Sequence, residues 1–483
     1  MPMKWRKLGL ITAVSGGLGF NMMLADKLDP TILREYDIRG IVDDTLTEDA
    51  VTAIGRAFGT VVRRGGGRSV AVGYDGRISS PHLETALSNG LKMAGVNVVQ
   101  VGLGPTPMLY YAAHTLDVDA GAMITGSHNP PEYNGIKMVI QGKSFYGDAI
   151  QDLGRIVAEG NYETGDGEVS TKIVFDDYVQ RVMDDFKAAT DLRVAWDPGN
   201  GSAGDVVAEV CRRLPGEHFL INQKIDGTFP AHHPDPTAEK NLEQLKTLVA
   251  AQNCDIGLAF DGDGDRIGVI DGQGRVMWGD QLMVVLAGEI LSRKPGSVII
   301  ADVKASQVFF DEIERMGGKP VMWKTGHSLI KSKMQETGAP LAGEMSAHIF
   351  FSDGYYGYDD AVYAAIRLLS IIGTGDESLS DIMDRLPQML NTPELRFDCD
   401  EARKFQVVEE VAERLKTVEG ITVHDIDGVR VQSDDGWWLL RASNTQAVLV
   451  ARCESTTEEG LKRLKSTLTD QLIASGLEAP DFT

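Results

Sequence analysis

The run Asp261-Gly262-Asp263-Gly264-Asp265-Arg266 sets three carboxylates at alternating positions around two glycines. Glycine lets the backbone close around a point, and hard carboxylate oxygens gathered there suit Mg2+. Without a cation, charges so close would repel one another strongly. The calcium loop of an EF-hand also opens Asp-x-Asp-x-Asp, but it needs Gly at its sixth position and Glu at its twelfth. Those positions hold Arg266 and Gly272, so the calcium reading fails. Magnesium keeps coordination positions for water or phosphate oxygen, which places a phosphoryl group nearby.

A hydroxyl to carry such a group stands in Thr125-Gly126-Ser127-His128-Asn129-Pro130-Pro131. The apolar run Ala120 to Ile124 reads as a buried strand that delivers Ser127 into a loop, and Gly126 with the Pro130-Pro131 pair keeps that loop from becoming helix. A serine hydroxyl is a poor nucleophile unless a base or metal activates it; His128 and Lys137 are the local candidates. A polar turn with a satisfied serine is the ordinary alternative.

Three further stretches are polar enough to bind a phosphorylated or hydroxylated ligand. Glu344, Ser346 and His348 are spaced two apart in Gly343-Glu344-Met345-Ser346-Ala347-His348, so in an extended segment they would share one side and meet sugar hydroxyls. Arg441, Ser443, Asn444 and Thr445 bring a guanidinium, hydroxyls and a carboxamide into one turn, which suits a phosphate cradle, although Ser, Asn and Thr also make ordinary turns. In Glu35-Tyr36-Asp37-Ile38-Arg39-Gly40, Arg39 offers a phosphate fork and Tyr36 a hydrogen-bonding partner. Lys304 and His327 add donors to the same region as Glu344.

The elements that position these loops follow from the pattern. Glu48 to Arg64 has helical periodicity and is ended by Gly65-Gly66-Gly67; Ser69 to Tyr74 is then a strand closed by Asp75-Gly76-Arg77. β-branched runs ending at an aspartate recur at Asp75, Asp197 and Asp302, roughly a hundred residues apart, each followed by a turn and a helical stretch. Strands alternating with helices imply mostly parallel sheets with functional loops at their carboxyl ends. The fold class expected is α/β, with three related mixed α/β domains and a smaller C-terminal α+β domain around a central cleft. Boundaries are expected near an exposed loop from Gly160 to Ser170 and a turn-rich passage from Gly272 to Gly279. The domains are then 28–172, 173–278, 279–390 and 391–483, after an N-terminal leader, 1–27.

Composition restricts the partners. The chain has 483 residues, 43% of them hydrophobic and 24% charged, which suits a soluble, cored protein of roughly three or four domains. A net charge of −23 and a pI near 4.8 argue against nucleic acid and anionic membrane surfaces, so an anionic substrate requires a local convergence of Arg, Lys or metal. The scattered cysteines Cys211, Cys254, Cys399 and Cys453 have no metal-ligand spacing and fit a reducing cytoplasm. Lys4, Arg6 and Lys7 precede an apolar stretch from Leu8 to Ala25 that superficially has the form of a secretory signal. Gly16, Gly17, Gly19 and Asn21 dilute it, and it reads as an apolar leader that packs on the body or frays.

The four loops in this order, Thr-Gly-Ser-His-Asn-Pro, Asp-Gly-Asp-Gly-Asp-Arg, Gly-Glu-Met-Ser-Ala-His and Arg-x-Ser-Asn-Thr, resemble the α-D-phosphohexomutase superfamily, and its bacterial phosphomannomutase/phosphoglucomutase branch in particular. The likeness spans residues 30 to 480 and implies four domains that each contribute one loop to the cleft. It implies that Ser127 is the phosphorylated residue and that Asp261, Asp263 and Asp265 bind Mg2+ with it. Glu344, Ser346 and His348 match the sugar-hydroxyl loop, and Arg441, Ser443, Asn444 and Thr445 the loop for the non-reacting phosphate. Tyr36 and Arg39 match a cleft-lining loop; Lys137, Arg266, Lys304 and His327 match polar residues around the reacting group. Ala347 departs from the branch, which more often has Gly there.

The implied activity is interconversion of hexose 1-phosphate and hexose 6-phosphate, of mannose, glucose or both, through phosphoserine and a hexose 1,6-bisphosphate that also serves as activator. His128, Lys137 and Arg266 join Ser127 as the catalytic candidates, with the acid/base assignment between His128 and Lys137 open. The partners are phosphorylated hexoses, with no nucleic acid and no membrane, and a monomer is expected. A phosphoglucosamine mutase is the alternative within the superfamily, and a phosphosugar phosphatase the one outside it.

Overall fold

The structure, a computed structural model, describes residues 28–187, 191–444 and 446–478. The leader and Thr445 lie outside them.

One four-strand arrangement occurs three times. The strand Ser69–Tyr74 runs parallel to both Asn97–Leu103 and Ala120–Ile124, and the latter turns back antiparallel into Tyr133–Ile140. In the second unit Arg193–Asp197 takes the central place, beside Glu217–Leu220 and Ile256–Phe260, and the returning strand is Ile267–Asp271. In the third, Val298–Asp302 lies between Lys319–Trp323 and Leu341–Gly343, and Ile349–Phe351 returns. The strands that lead into the Ser127 and Asp261 loops are buried along their whole length, which explains their unbroken apolar runs. The strand-aspartate recurrence in the sequence therefore marks a repeated fold, and each repeat has its chemical loop in one place, between its third and fourth strands.

Helices pack the faces of these sheets. Glu48–Arg64 forms where expected, its first turn capped by the Thr47 hydroxyl, which accepts a hydrogen bond from the Ala50 N–H. Two expected loops contain short strands. Val169–Thr171 adds to the first sheet beside Asn97–Leu103, and Val276–Met277 pairs with Ile267–Asp271. Neither has the length or alternation that makes a strand legible from sequence.

The fourth unit is a six-stranded sheet whose strands pair antiparallel, packed with the helices Arg403–Leu415 and Glu458–Ala474. The first buries Val407, Val411 and Leu415 at a spacing of four, a signal present between Asp400 and Gly420. No helix among the described residues is long and apolar enough to cross a membrane.

The hydrophobic core is not shared evenly. One buried cluster runs from Met108 and Tyr110 in the first unit through Trp196 and Phe260 to Leu282 and Tyr363 in the third. The fourth unit has its own core around Trp438 and Leu468. It meets the third through the small patch Val303, Trp437 and Leu439. Around that patch Arg430 donates to the carbonyls of Val303 and Ala305, Arg452 donates to that of Lys304, and Glu454 accepts from Ser306 and Gln307. The first three units are thus one packed body, and the fourth is fastened to it by a small apolar patch ringed with polar contacts.

Candidate active site

The four units enclose a cleft of about 970 Å³. Tyr36, Arg39, Ser127, His128, Lys137, Arg266, Lys304, His327, Glu344, Ser346, His348, Arg441, Ser443 and Asn444 all line it, although they come from loops as much as 408 residues apart. The net charge of −23 is not reproduced on its wall. Arg34, Arg39, Lys137, Arg266, Lys304, Arg396, Arg441 and Arg452 outnumber Asp37, Asp235, Glu239, Glu344 and Glu394 there, so the cleft supplies the positive convergence an anionic ligand needs.

Ser127 sits at one end in the left-handed region, φ +48°, with 2% of its surface exposed. Its hydroxyl donates to Asp261 Oδ2 over 2.9 Å and lies 3.2 Å from His128 Nδ1. The conformation is imposed from below. The fully buried guanidinium of Arg77 donates to the carbonyls of Ser127, Asn129, Pro130 and Tyr133 at 2.6–2.9 Å, and Asp75 accepts from the Thr125 hydroxyl and the Gly126 N–H. From above, Gly262 of the aspartate loop rests on the Ser127 carbonyl, a contact that only glycine permits. Arg77 and Asp75 appeared in the sequence only as the end of a strand; no local signal says which carbonyls a guanidinium will find.

Asp261, Asp263 and Asp265 are fully buried, and their ligand atoms lie within 4.8 Å of one another. Lys137 Nζ donates to Asp263 Oδ2 at 2.6 Å and to Asp265 Oδ2 at 2.5 Å. Among the described residues Asp263 Oδ1 and Asp265 Oδ1 have no hydrogen-bond partner. Buried, charged, acceptor-only oxygens without donors fit a hard divalent cation, so the donor set passes the test for the metal site read from the sequence. Burial, and then the charges of Asp263 and Asp265, push the Asp261 carboxyl well above the usual range. Burial alone would depress Lys137; the same two carboxylates outweigh it and hold the ammonium well above the ordinary lysine value. Lys137 is therefore a charged partner of the metal carboxylates. His128 is held well below the ordinary histidine value by burial and then by the charges of Arg266 and Arg39, and stands neutral beside Ser127.

Arg39 lies against the same loop, its guanidinium paired with Asp37 and donating to the Asn129 side chain. Arg266 Nε donates to His348 Nε2 over 2.9 Å. An arginine cannot accept, so the proton of a neutral His348 is on Nδ1, which faces Asp359 Oδ2 at 2.9 Å and Asp265 Oδ1 at 3.5 Å. Asp359, also held by Lys331 at 3.0 Å, was not found in the sequence.

The sugar loop is a tight turn instead of the extended segment expected. Ala347 N–H donates back to the Glu344 carbonyl, and Ala347 adopts φ +67°. That left-handed position favours glycine, which accounts for the residue the resembling branch more often carries. Glu344, Ser346 and His348 therefore do not share one side of an extended segment. Ser346 donates to Glu344 Oε2, and Oε1 accepts from the Gly326 N–H, while His348, just before the next strand, bridges to Arg266 and turns toward Asp265. His327 stacks on His348 with ring centroids 5.7 Å apart.

At the far end Arg441 donates to both oxygens of Asp427, and Lys304 pairs with Glu394. Tyr36 ties three units together: its hydroxyl donates to the Thr325 carbonyl and accepts from Asn444 Nδ2.

The chain is similar to known proteins along most of its length. Family models described as phosphoglucomutase/phosphomannomutase α/β/α domains I, II and III and C-terminal domain match residues 30–163, 176–274, 278–390 and 394–471. The chain is 43% identical to a phosphomannomutase/phosphoglucomutase of Pseudomonas aeruginosa, over 94% of this chain and 98% of that one. It is 41% identical to a phosphoglucomutase of Neisseria gonorrhoeae, over 90% and 95%. The crystal structure of a phosphoglucomutase/phosphomannomutase family protein from Burkholderia thailandensis superposes with a TM-score of 0.90 at 42% identity, covering 94% of this chain and all of that one.

Proposed function

We propose, from the premise that this chain belongs to the phosphoglucomutase/phosphomannomutase family, that it interconverts the 1- and 6-phosphates of mannose, glucose or both through Ser127. The observation that carries the reading is the Ser127 hydroxyl 2.9 Å from Asp261, at one end of a cleft whose other end holds Arg441, Ser443 and Asn444. Both sets of residues line one cleft of about 970 Å³, which supports a single ligand carrying a phosphate at each end.

A phosphoryl group on Ser127 Oγ passes to the free hydroxyl of a bound hexose phosphate: the P–Oγ bond breaks, an ester bond to the sugar oxygen forms, and the hydroxyl proton leaves. The bisphosphate turns end for end and returns its other phosphoryl group to Ser127. Arg39 and Arg266 place fixed positive charge where the transferred group passes, with no reorganisation required. Glu344 and Ser346, already bonded to each other, present oxygens to the sugar hydroxyls. Arg441, Ser443, Asn444 and Thr445 hold whichever phosphate is not reacting. Neutral His128 is the candidate to hold the mobile proton, at Nδ1. Mg2+ bound by Asp261, Asp263, Asp265 and the Ser127 oxygen would supply charge neutralisation on the transferred group.

The same reading includes hexose 1,6-bisphosphate as activator, a monomer, and a cytoplasmic setting, the last supported by four buried cysteines all in the free form. It divides the chain near residues 172, 278 and 390, supported by the four separate sheets.

The test is conversion of glucose 1-phosphate, mannose 1-phosphate and glucosamine 1-phosphate with Mg2+ and a bisphosphate, beside Ser127→Ala and with intact mass. The wild-type chain is expected to carry one phosphoryl group and turn over the first two substrates. Ser127→Ala is expected to lose the added mass and nearly all turnover; full activity in that variant overturns the proposal.

A further inference from the structure

The phosphate-gripping end of the cleft is already charge-paired within the protein. Arg441 donates to Asp427 at 3.1 and 3.3 Å. Lys304 donates to Glu394 Oε2 at 3.2 Å and stands 3.9 Å from Asp302. Arg396 donates to Glu394 Oε1 at 2.7 Å. An incoming phosphate dianion therefore meets cations whose charge is spoken for, and it binds tightly only where a resident carboxylate gives way.

The three carboxylates differ in how firmly they are held. Asp427 also accepts from the Thr325 N–H, and Asp302 is fully buried, accepting from the Thr325 hydroxyl and the Met345 N–H. Among the described residues Glu394 has hydrogen bonds only to the side chains of Lys304 and Arg396, and its side chain is 20% exposed on the cleft wall. Lys304 and Arg396 hold its carboxyl far down, at about 2, so it stays an anion. Its backbone belongs to the fourth unit, while the loop carrying Lys304 is clamped to that unit by Arg430 and Arg452. Exchange at Glu394 is thus a rotation of one side chain, with no movement of a unit.

We propose that Glu394 is an exchangeable counter-anion: its carboxylate occupies the seat between Lys304 and Arg396, and the non-reacting phosphate of the substrate displaces it. A dianion replaces a monoanion between two cations and gains by the exchange, whereas a neutral sugar cannot, so Glu394 selects for ligands with a second phosphate group. The inference rests on the mutase reading for the identity of the ligand, and its test needs no turnover.

The test is calorimetric titration of the full chain with inorganic phosphate, in wild type, Glu394→Gln, Lys304→Met and the double variant. Glu394→Gln is expected to lower Kd for phosphate by about fivefold to tenfold, since the competitor is gone. In the Lys304→Met background the same substitution is expected to change Kd by less than about twofold, because the exchanged partner is gone. Unchanged or weaker phosphate binding in Glu394→Gln overturns the proposal. So does an equal gain with and without Lys304, which would mean a through-space charge effect alone. Glu394→Asp, whose shorter carboxylate cannot span both cations, is expected to give a smaller gain in the same direction, and no gain there counts against the exchange. Glucose 1-phosphate turnover, followed separately, tests the mutase reading: a chain that binds phosphate as described and interconverts nothing leaves Glu394 standing and the function wrong.

Discussion

Gly262 rests on the main-chain oxygen of Ser127: a carbon added at its Cβ position would lie 2.3 Å from that atom. Both contact points are loop backbone, so neither can swing aside, and Gly262→Ala must push the serine loop and the aspartate loop apart. A displacement near 1 Å at a reacting centre costs on the order of 100-fold in rate. Gly262→Ala is expected to lose about that much kcat with a native circular dichroism spectrum. Wild-type kcat would show that the two loops have more slack than their contact implies.

Arg77→Lys tests the support beneath the serine. A lysine keeps the charge but has no planar fork, so it leaves some of the four carbonyls without a donor, each worth about 1.5–3 kcal/mol when the donor is charged. With Ser127 no longer pinned at φ +48°, kcat is expected to fall about tenfold to 100-fold while KM for glucose 1-phosphate changes little. A purely structural role would instead lower thermal stability and leave kcat per folded molecule intact.

Much of this was legible beforehand, and the limits have a physical pattern. Ser127, the three aspartates and Arg441 stood out because unusual residue types were crowded into a few positions. The strands Ser69–Tyr74 and Ala120–Ile124 stood out because burial on both faces demands unbroken apolar runs. Arg77, Asp359 and Glu394 did not stand out, since each is a common residue whose meaning comes from partners up to 90 positions away or in another unit. The turn at Glu344–Ala347 was misread as extended because alternation of residue type does not encode φ, and Ala347 takes a value that alanine rarely adopts.

The carboxylate cluster makes stability depend on the cation. Burial and mutual repulsion leave Asp261 poorly tolerated as an anion, and the partnerless oxygens of Asp263 and Asp265 are relieved only by a ligand that accepts their charge. At 100 times its Kd, Mg2+ is expected to add about 2.7 kcal/mol to the folded state. The melting temperature should rise by a few degrees with Mg2+ and return with EDTA. Asp263→Asn, which removes one charge without changing shape, is expected to abolish the Mg2+-dependent rise. An unchanged rise in that variant would move the cation elsewhere.

Tyr36 closes the cleft by joining the first, third and fourth units through one hydroxyl. Tyr36→Phe deletes two hydrogen bonds worth about 1 kcal/mol each and leaves the ring in place. KM for hexose phosphate is expected to rise about fivefold to tenfold with a smaller change in kcat, and the radius of gyration from X-ray scattering should increase. Asn444→Ala removes one of the same bonds, so the double variant should fall short of the sum of the two. Strict additivity would show that Tyr36 acts through Thr325 alone.

Asp359 acts on the reacting end through His348. Burial would raise its carboxyl, but Lys331 and the imidazole outweigh it and hold Asp359 well below the usual range, so it remains an anion 2.9 Å from His348 Nδ1. That anion keeps the proton on Nδ1 and leaves Nε2 free to accept from Arg266, which fixes where the guanidinium points. In Asp359→Asn the carboxamide offers an N–H as readily as an oxygen, the imbalance of charge beside Lys331 is reversed, and the tautomer is no longer determined. Arg266 then loses its anchor although it is untouched. Such outer partners are worth about tenfold to 100-fold in activity. The loss is expected in kcat, with KM little changed. A His348→Gln variant, whose side-chain oxygen can still accept from Arg266, should be less affected by Asp359→Asn than the wild type. Native kcat in Asp359→Asn would reduce the residue to a packing role.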